Sequence, residues 1–252
     1  MKPTFLTYEK PLLTTILQCK NPEVAKYRIG KALELGTDAF GLQTESLLPE
    51  YRNEETIRDL FSAMGGKPIY ATRYRPDKTS DAQDEDLGQA ILQLADWGAT
   101  LCDVMGDLYA KHPDELTYDP QAVKKQMQLI DRLHEKGAEV LISSHLYRYA
   151  PAERLLEIGL EQQRRGADVV KIVTKAENSE QLLDNLRAIT LLKENLQVPF
   201  LLLSSGSHGT LTRRIGPNLG CCMYLCVYEH DEYSTKAQPL LEKLKLIRDN
   251  ME

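Results

Sequence analysis

The sequence has no long apolar run. Its longest apolar stretches, near residues 198–203 and 221–227, match a β-strand in length and fall far short of a membrane span. The opening residues, Met1-Lys2-Pro3-Thr4-Phe5-Leu6 with Tyr8, Glu9 and Lys10 close behind, lack the apolar block of a signal peptide. A soluble, cytoplasmic protein that does not engage a membrane is therefore expected. Positive charge is also short: Lys and Arg number 31 against 37 Asp and Glu, a formal net charge of −6. That sign does not suit a surface that must neutralise many phosphates, so nucleic acid is not an expected partner. No GxGxxG follows the first strand-like segment, and the glycine spacing of a P-loop is missing. His112, His134, His208 and His230 are scattered and form no HxH or HExxH pattern, so no metal site is expected. The five cysteines, Cys19, Cys102, Cys221, Cys222 and Cys226, are odd in number and lack a CxxC spacing. They read as buried thiols rather than a metal or redox site. Whatever chemistry the chain performs is expected to need no cofactor.

With 252 residues, 42% hydrophobic and 27% charged, the chain is long enough to bury a full core and too balanced to be disordered. Strand-length apolar runs recur at residues 12–18, 38–43, 68–73, 100–105, 139–144, 168–173, 198–204 and 220–227. Segments with helical spacing lie between them, for example 22–35, 55–64, 87–97, 121–135, 151–165 and 179–194. Gly36, Gly98, Gly137 and Gly166 fall just before a strand, where a helix C-terminal cap belongs. Continuous apolar strands indicate burial on both faces, and each intervening helix is long enough for a right-handed parallel crossover. Eight such units predict a single (β/α)8 barrel over residues 1–252. The polar stretches 76–86 and 229–238 follow the carboxyl ends of strands, the catalytic face of such a barrel, and are candidate lids.

Three constellations on that face could carry chemistry. Lys171 lies in the middle of the apolar strand Gly166-Ala167-Asp168-Val169-Val170-Lys171-Ile172-Val173. An ammonium buried there without a partner is costly, which favours a neutral amine, a nucleophile toward ketones; a stem that crosses the barrel edge to pair with a carboxylate is the alternative. One unit earlier, His145 ends the strand Val140-Leu141-Ile142-Ser143-Ser144-His145. Neighbouring parallel strands lie about 4.8 Å apart, so the imidazole and the amine can share a cavity, which suits proton abstraction beside an imine. The third is the small-residue loop from Ser204 to Gly209, followed by Thr212, Arg213 and Arg214 on a short helix. Its backbone amides and an arginine suit a carboxylate or a phosphate.

These residues resemble type I 3-dehydroquinate dehydratase, a shikimate-pathway barrel enzyme that works through a lysine Schiff base, and the resemblance spans most of the chain. It implies the imine role for Lys171 and the base role for His145. It implies a carboxylate-binding role for Arg213 in the segment Ser205-Gly206, Gly209, Thr212-Arg213 and Gly216, with Arg214 secondary. Ser234-Thr235-Lys236-Ala237-Gln238 stands where the family has its lid motif, implying substrate contacts from Ser234 and Gln238. Tyr70-Ala71-Thr72-Arg73 is similar to a strand that carries a further substrate arginine, so Arg73 inherits that role, and Asp77 stands where the family has glutamate. The second strand departs. Gly41 and Gln43 replace an acidic residue and an arginine that face substrate hydroxyls, leaving Gln43 as a neutral contact, and Met105 replaces another acid.

The resemblance implies a carbon–oxygen lyase that dehydrates 3-dehydroquinate in aromatic amino acid biosynthesis. Two alternatives follow from the altered second strand: Schiff-base chemistry on a different carboxylated ketone, or a barrel that binds an anion without turnover. A small carboxylated ketone is the expected partner. Barrels of this kind pair through their outer helices, so a homodimer is expected.

Overall fold

The computed structural model describes residues 3–75 and 84–251. Asp77 and most of the first candidate lid lie outside them. Eight strands alternate with eight helices among the described residues. The strands are β1 (Leu12–Leu17), β2 (Ala39–Gln43), β3 (Ile69–Thr72), β4 (Leu101–Met105), β5 (Glu139–His145), β6 (Val169–Lys175), β7 (Phe200–Ser205) and β8 (Met223–Cys226). The helices are α1 (Pro22–Glu34), α2 (Glu54–Ala63), α3 (Asp84–Trp97), α4 (Pro120–Glu135), α5 (Ala152–Arg164), α6 (Ser179–Asn195), α7 (Thr210–Leu219) and α8 (Leu241–Asn250).

Every strand pair is parallel, in the order β7-β6-β5-β4-β3-β2-β1-β8. The Cys222 amide donates to the Phe200 carbonyl at 2.9 Å, which brings the foot of β8 to β7 and nearly closes the ring into a (β/α)8 barrel. Helix starts are fixed locally: the side chains of Asn21, Asn53, Asp119 and Asn178 accept from first-turn amides of α1, α2, α4 and α6. At the other ends Gly36, Gly98, Gly137 and Gly166 take φ between 73° and 120°, a left-handed region open to glycine.

The expected strand over 220–227 begins later, at Met223. The amides of Gly220 and Cys221 are both spent on the Gly216 carbonyl at the end of α7, so the ladder cannot start there. All five cysteines are buried thiols. No helix of the described residues is long and apolar enough to cross a membrane.

Candidate active site

Strand alternation decides what reaches the barrel mouth. In register, Lys171 stands opposite Ser143 and Leu201, and His145 stands opposite Val173, one inward step closer to solvent. Lys171 is 3% exposed. Its amine donates to Tyr74 Oη at 2.6 Å and Tyr70 Oη at 2.8 Å, and lies 3.2 Å from Asp103 Oδ2. Both phenols donate to that same Asp103 oxygen, while Ser143 Oγ donates to the other at 2.5 Å. The structure therefore corrects one premise. The amine is buried but not unpaired: Asp103, in the middle of β4, supplies a counter-charge. Burial, followed by the Asp103 charge, holds both phenols well above the ordinary tyrosine range.

His145 Nδ1 lies 2.7 Å from Glu115 Oε2, and the same oxygen accepts from the His145 amide at 3.0 Å. A carboxylate there accepts a hydrogen bond from Nδ1–H and makes Nε2 the basic nitrogen, directed away from Glu115. Glu115 adopts a left-handed backbone (φ 45°), as does Tyr147 (φ 55°), whose ring stacks on His145 at 6.0 Å. Such conformations cost about 1–3 kcal/mol each and gather at functional sites.

These groups open into a cavity of about 710 Å³ at the carboxyl ends of the strands. That volume suits a small metabolite. Arg213 lines it, 6% exposed, with Nε donating to the Ser204 carbonyl at 2.7 Å. Burial pulls its pKa down to about 10. Among the described residues no carboxylate forms an ion pair with it, so the cavity contains a cation without a counter-ion. Gln238 also lines it, with Oε1 buried and unpartnered. Gln43 is present too, but its Oε1 accepts from Gln18 Nε2 at 2.7 Å, and Gln18 Oε1 accepts in turn from the Thr235 amide at 3.1 Å. At Gly41 an added Cβ would meet the terminal methyl of Ile16 and press on the Tyr70 ring, so a larger residue there requires Ile16 to shift.

Two expected contacts lie elsewhere. Tyr70 faces inward, so on the same alternation Tyr74 also points in and Arg73 points out. Arg73 borders a small separate cavity with Arg52 and Trp97, and its Nη1 is buried without a partner. The arginine that reaches the main cavity is Arg75, paired with Asp107 and Asp84 at 2.7 Å each. Ser234 borders a different, minor cavity beside Arg28, and its Oγ accepts from the Asp231 amide at 2.9 Å; Thr235 stands at the main cavity instead. Sequence reasoning missed Glu45, a cavity carboxyl that accepts from Thr72 Oγ1 at 2.9 Å and whose pKa burial raises. It missed Glu115 and both tyrosines as well. No group of three or more His, Cys, Asp or Glu residues among the described residues could hold a metal ion.

Fold and site together define a (β/α)8 barrel built around a buried lysine, with a histidine–carboxylate pair above it and an uncompensated arginine in the wall. The chain belongs to the type I 3-dehydroquinase family, whose model matches residues 14–249. The 3-dehydroquinate dehydratase of Alkaliphilus oremlandii is 32% identical over 108 residues, 42% of this chain and 41% of that protein. That of Shouchella clausii is 23% identical over 235 residues, 91% of this chain and 81% of the relative. Among solved structures, the type I enzyme from Clostridium difficile with covalently modified comenic acid superposes with a TM-score of 0.81 at 16% identity, covering 97% of this chain and 93% of that one.

Proposed function

We propose that this protein dehydrates 3-dehydroquinate to 3-dehydroshikimate through a Schiff base on Lys171, with His145 as general acid and base. Family membership supports the reaction. The observation that carries the mechanism is the juxtaposition of a buried amine, an imidazole and an unpaired guanidinium on one cavity. The substrate carboxylate pairs with Arg213 and sets the ring with its ketone over Lys171. Amine attack and loss of water give an iminium ion, which acidifies the neighbouring carbon. His145 Nε2 removes a proton from that carbon, and Glu115 stabilises the imidazolium that forms. The imidazolium then gives its proton to the departing β-hydroxyl, which leaves as water. Hydrolysis frees the unsaturated product and the lysine. Gln238 Oε1 is an acceptor ready for a substrate hydroxyl. We take the protein to act in the cytoplasm as a homodimer, which sedimentation tests directly.

The second reading, the same chemistry on another carboxylated ketone, draws on the cavity wall around β2. Ile16 and Tyr70 fill the space beside Gly41, and Gln43 is engaged with Gln18, so a neutral surface replaces an ionic one. Loss of a charge-assisted hydrogen bond costs roughly 1.5–3 kcal/mol. Borohydride reduction in the presence of 3-dehydroquinate is expected to leave a mass increment on Lys171, absent in Lys171→Met. No increment at saturating substrate would rule out the mechanism for that substrate, and a screen of carbonyl acids then decides for the second reading.

A further inference from the structure

An ammonium cannot attack a ketone, so the Schiff-base reading requires Lys171 to lose a proton before the bond forms. The groups that meet its nitrogen supply a route. Tyr74 Oη accepts from Nζ at 2.6 Å and donates to Asp103 Oδ2, so one phenol joins the proton donor to a carboxylate. We propose that Tyr74 is a further catalytic residue, whose phenol relays the Lys171 proton to Asp103 and later returns it to the water that leaves. The proposal rests on the Schiff-base reading and adds the residue that makes the amine reactive.

The step balances without an outside acid or base. Nζ gives one proton to Tyr74 Oη as the phenolic proton passes to Asp103, and the charged pair becomes a neutral amine and a neutral carboxylic acid. The amine lone pair forms the C–N bond, and the ketone oxygen takes a second proton from nitrogen to give a carbinolamine. Asp103 then returns its proton through Tyr74 to the carbinolamine hydroxyl. The C–O bond breaks, water departs, and an iminium ion remains beside an ionised Asp103. Charge and hydrogen count are the same before and after.

Position selects Tyr74 among the possible relays. The Asp103 side chain is fully buried, and Tyr70 is 1% exposed and lies beneath the amine. Neither reaches an oxygen on the cavity side. Tyr74 lines the cavity, and its ring meets His145 edge-on with centroids 5.4 Å apart. Its amide donates to Glu45 Oε2 at 3.4 Å, a second acidic neighbour beside Asp103. Burial and the Asp103 charge keep the phenol protonated, as a relay requires.

The test is the single-turnover rate of Lys171 adduct formation, quenched with borohydride, with 3-dehydroquinate and separately with pyruvate, a minimal oxo acid. Tyr74→Phe is expected to slow adduct formation roughly a hundredfold at neutral pH, the scale of one lost proton-transfer group. The gap should narrow as pH rises and hydroxide takes the proton instead. A purely structural role would not produce that convergence. Tyr70→Phe, with matched melting temperature, is expected to lose less. Equal adduct rates for Tyr74→Phe and wild type, or a defect that pH does not alter, would overturn the relay. Wild-type adduct with pyruvate but none with 3-dehydroquinate overturns the substrate reading alone, and the relay then stands or falls on the pyruvate ratio; no adduct with either overturns both.

Discussion

At the scale of single residues, the criterion that singles out Lys171 also singles out its partner. An ionisable group inside an apolar strand must have a reason to be there, and Asp103 in Leu101–Met105 meets that test as clearly as the lysine does. Tyr74 was legible through parity: if Tyr70 faces in, so does Tyr74, and Arg73 cannot. The resemblance assigned Arg73 by its place in a motif, and strand alternation overrides that assignment. Glu115 left no mark in the sequence, because it reaches His145 from an irregular loop and through a left-handed backbone that no pattern of residue types announces. Arg213 was legible, and its lack of a carboxylate partner among the described residues makes it the sharpest residue-scale prediction. If Arg213 holds the substrate carboxylate as proposed, replacing it with Gln removes a charge-assisted bond, about 1.5–3 kcal/mol, so KM should rise roughly ten- to hundredfold in steady-state assays with a smaller change in kcat. Because burial draws its pKa down to about 10, the guanidinium is fully charged well below that pH and half neutral at it. Binding of a carboxylate ligand to wild type should therefore weaken in a transition centred near pH 10, and Arg213→Gln should lack that transition.

At the scale of elements, the eight strands and the helices between them follow from apolar blocks and capping residues, which act locally and so can be read locally. The connections are different. The polar stretch 229–238 after β8, a candidate lid in the sequence, is tied down by side chains distant in sequence. Arg28 on α1 pairs with Asp231 at 2.6 Å and Glu229 at 3.1 Å, and Gln18 bonds Thr235. These ties place Thr235 and Gln238 against the cavity. Burial opposes ionisation of Asp231, but the Arg28 guanidinium and the amides of Ser234 and Tyr233 outweigh it and hold the carboxyl below its ordinary range. A depressed carboxyl contributes stability that is fully present above the unfolded-state pKa and is lost as pH falls through the folded one. The segment should therefore loosen on acidification while the barrel persists. Hydrogen exchange of residues 229–238 should accelerate below the ordinary aspartate range, with KM rising in parallel, and Asp231→Asn should show the loosened state already at neutral pH. Exchange in the segment that is independent of both pH and the substitution would refute this role.

At the scale of the whole molecule, the catalytic face depends on an arginine that touches no substrate. Arg165, at the end of α5, is 1% exposed, and its guanidinium donates to Glu161 at 2.8 Å, the Gly106 carbonyl at 2.9 Å, Gln126 Oε1 at 3.0 Å and the Thr117 carbonyl. Gln126 on α4 donates in turn to the Met105 carbonyl at 2.9 Å. One side chain thus joins α4, α5 and the two ends of the loop between β4 and α4, the loop that presents Glu115 in its left-handed conformation. Truncating a partner in a buried charged network leaves carbonyls and a carboxylate unsatisfied and costs about 3–5 kcal/mol. Arg165→Met is therefore expected to lower the melting temperature by roughly 6–20 °C, at about 2–4 °C per kcal/mol for a chain of this size. The loss should also reach the chemistry. With the loop released, Glu115 can leave its costly backbone conformation, His145 loses the acceptor that orients it, and kcat should fall in protein that is still fully folded at the assay temperature. Arg165→Lys retains the charge but cannot make all four contacts, so it should lie between the two in both stability and kcat. A variant that loses stability yet keeps wild-type kcat at a temperature where it is folded would show that Arg165 supports the barrel alone and that Glu115 is held by its own local contacts.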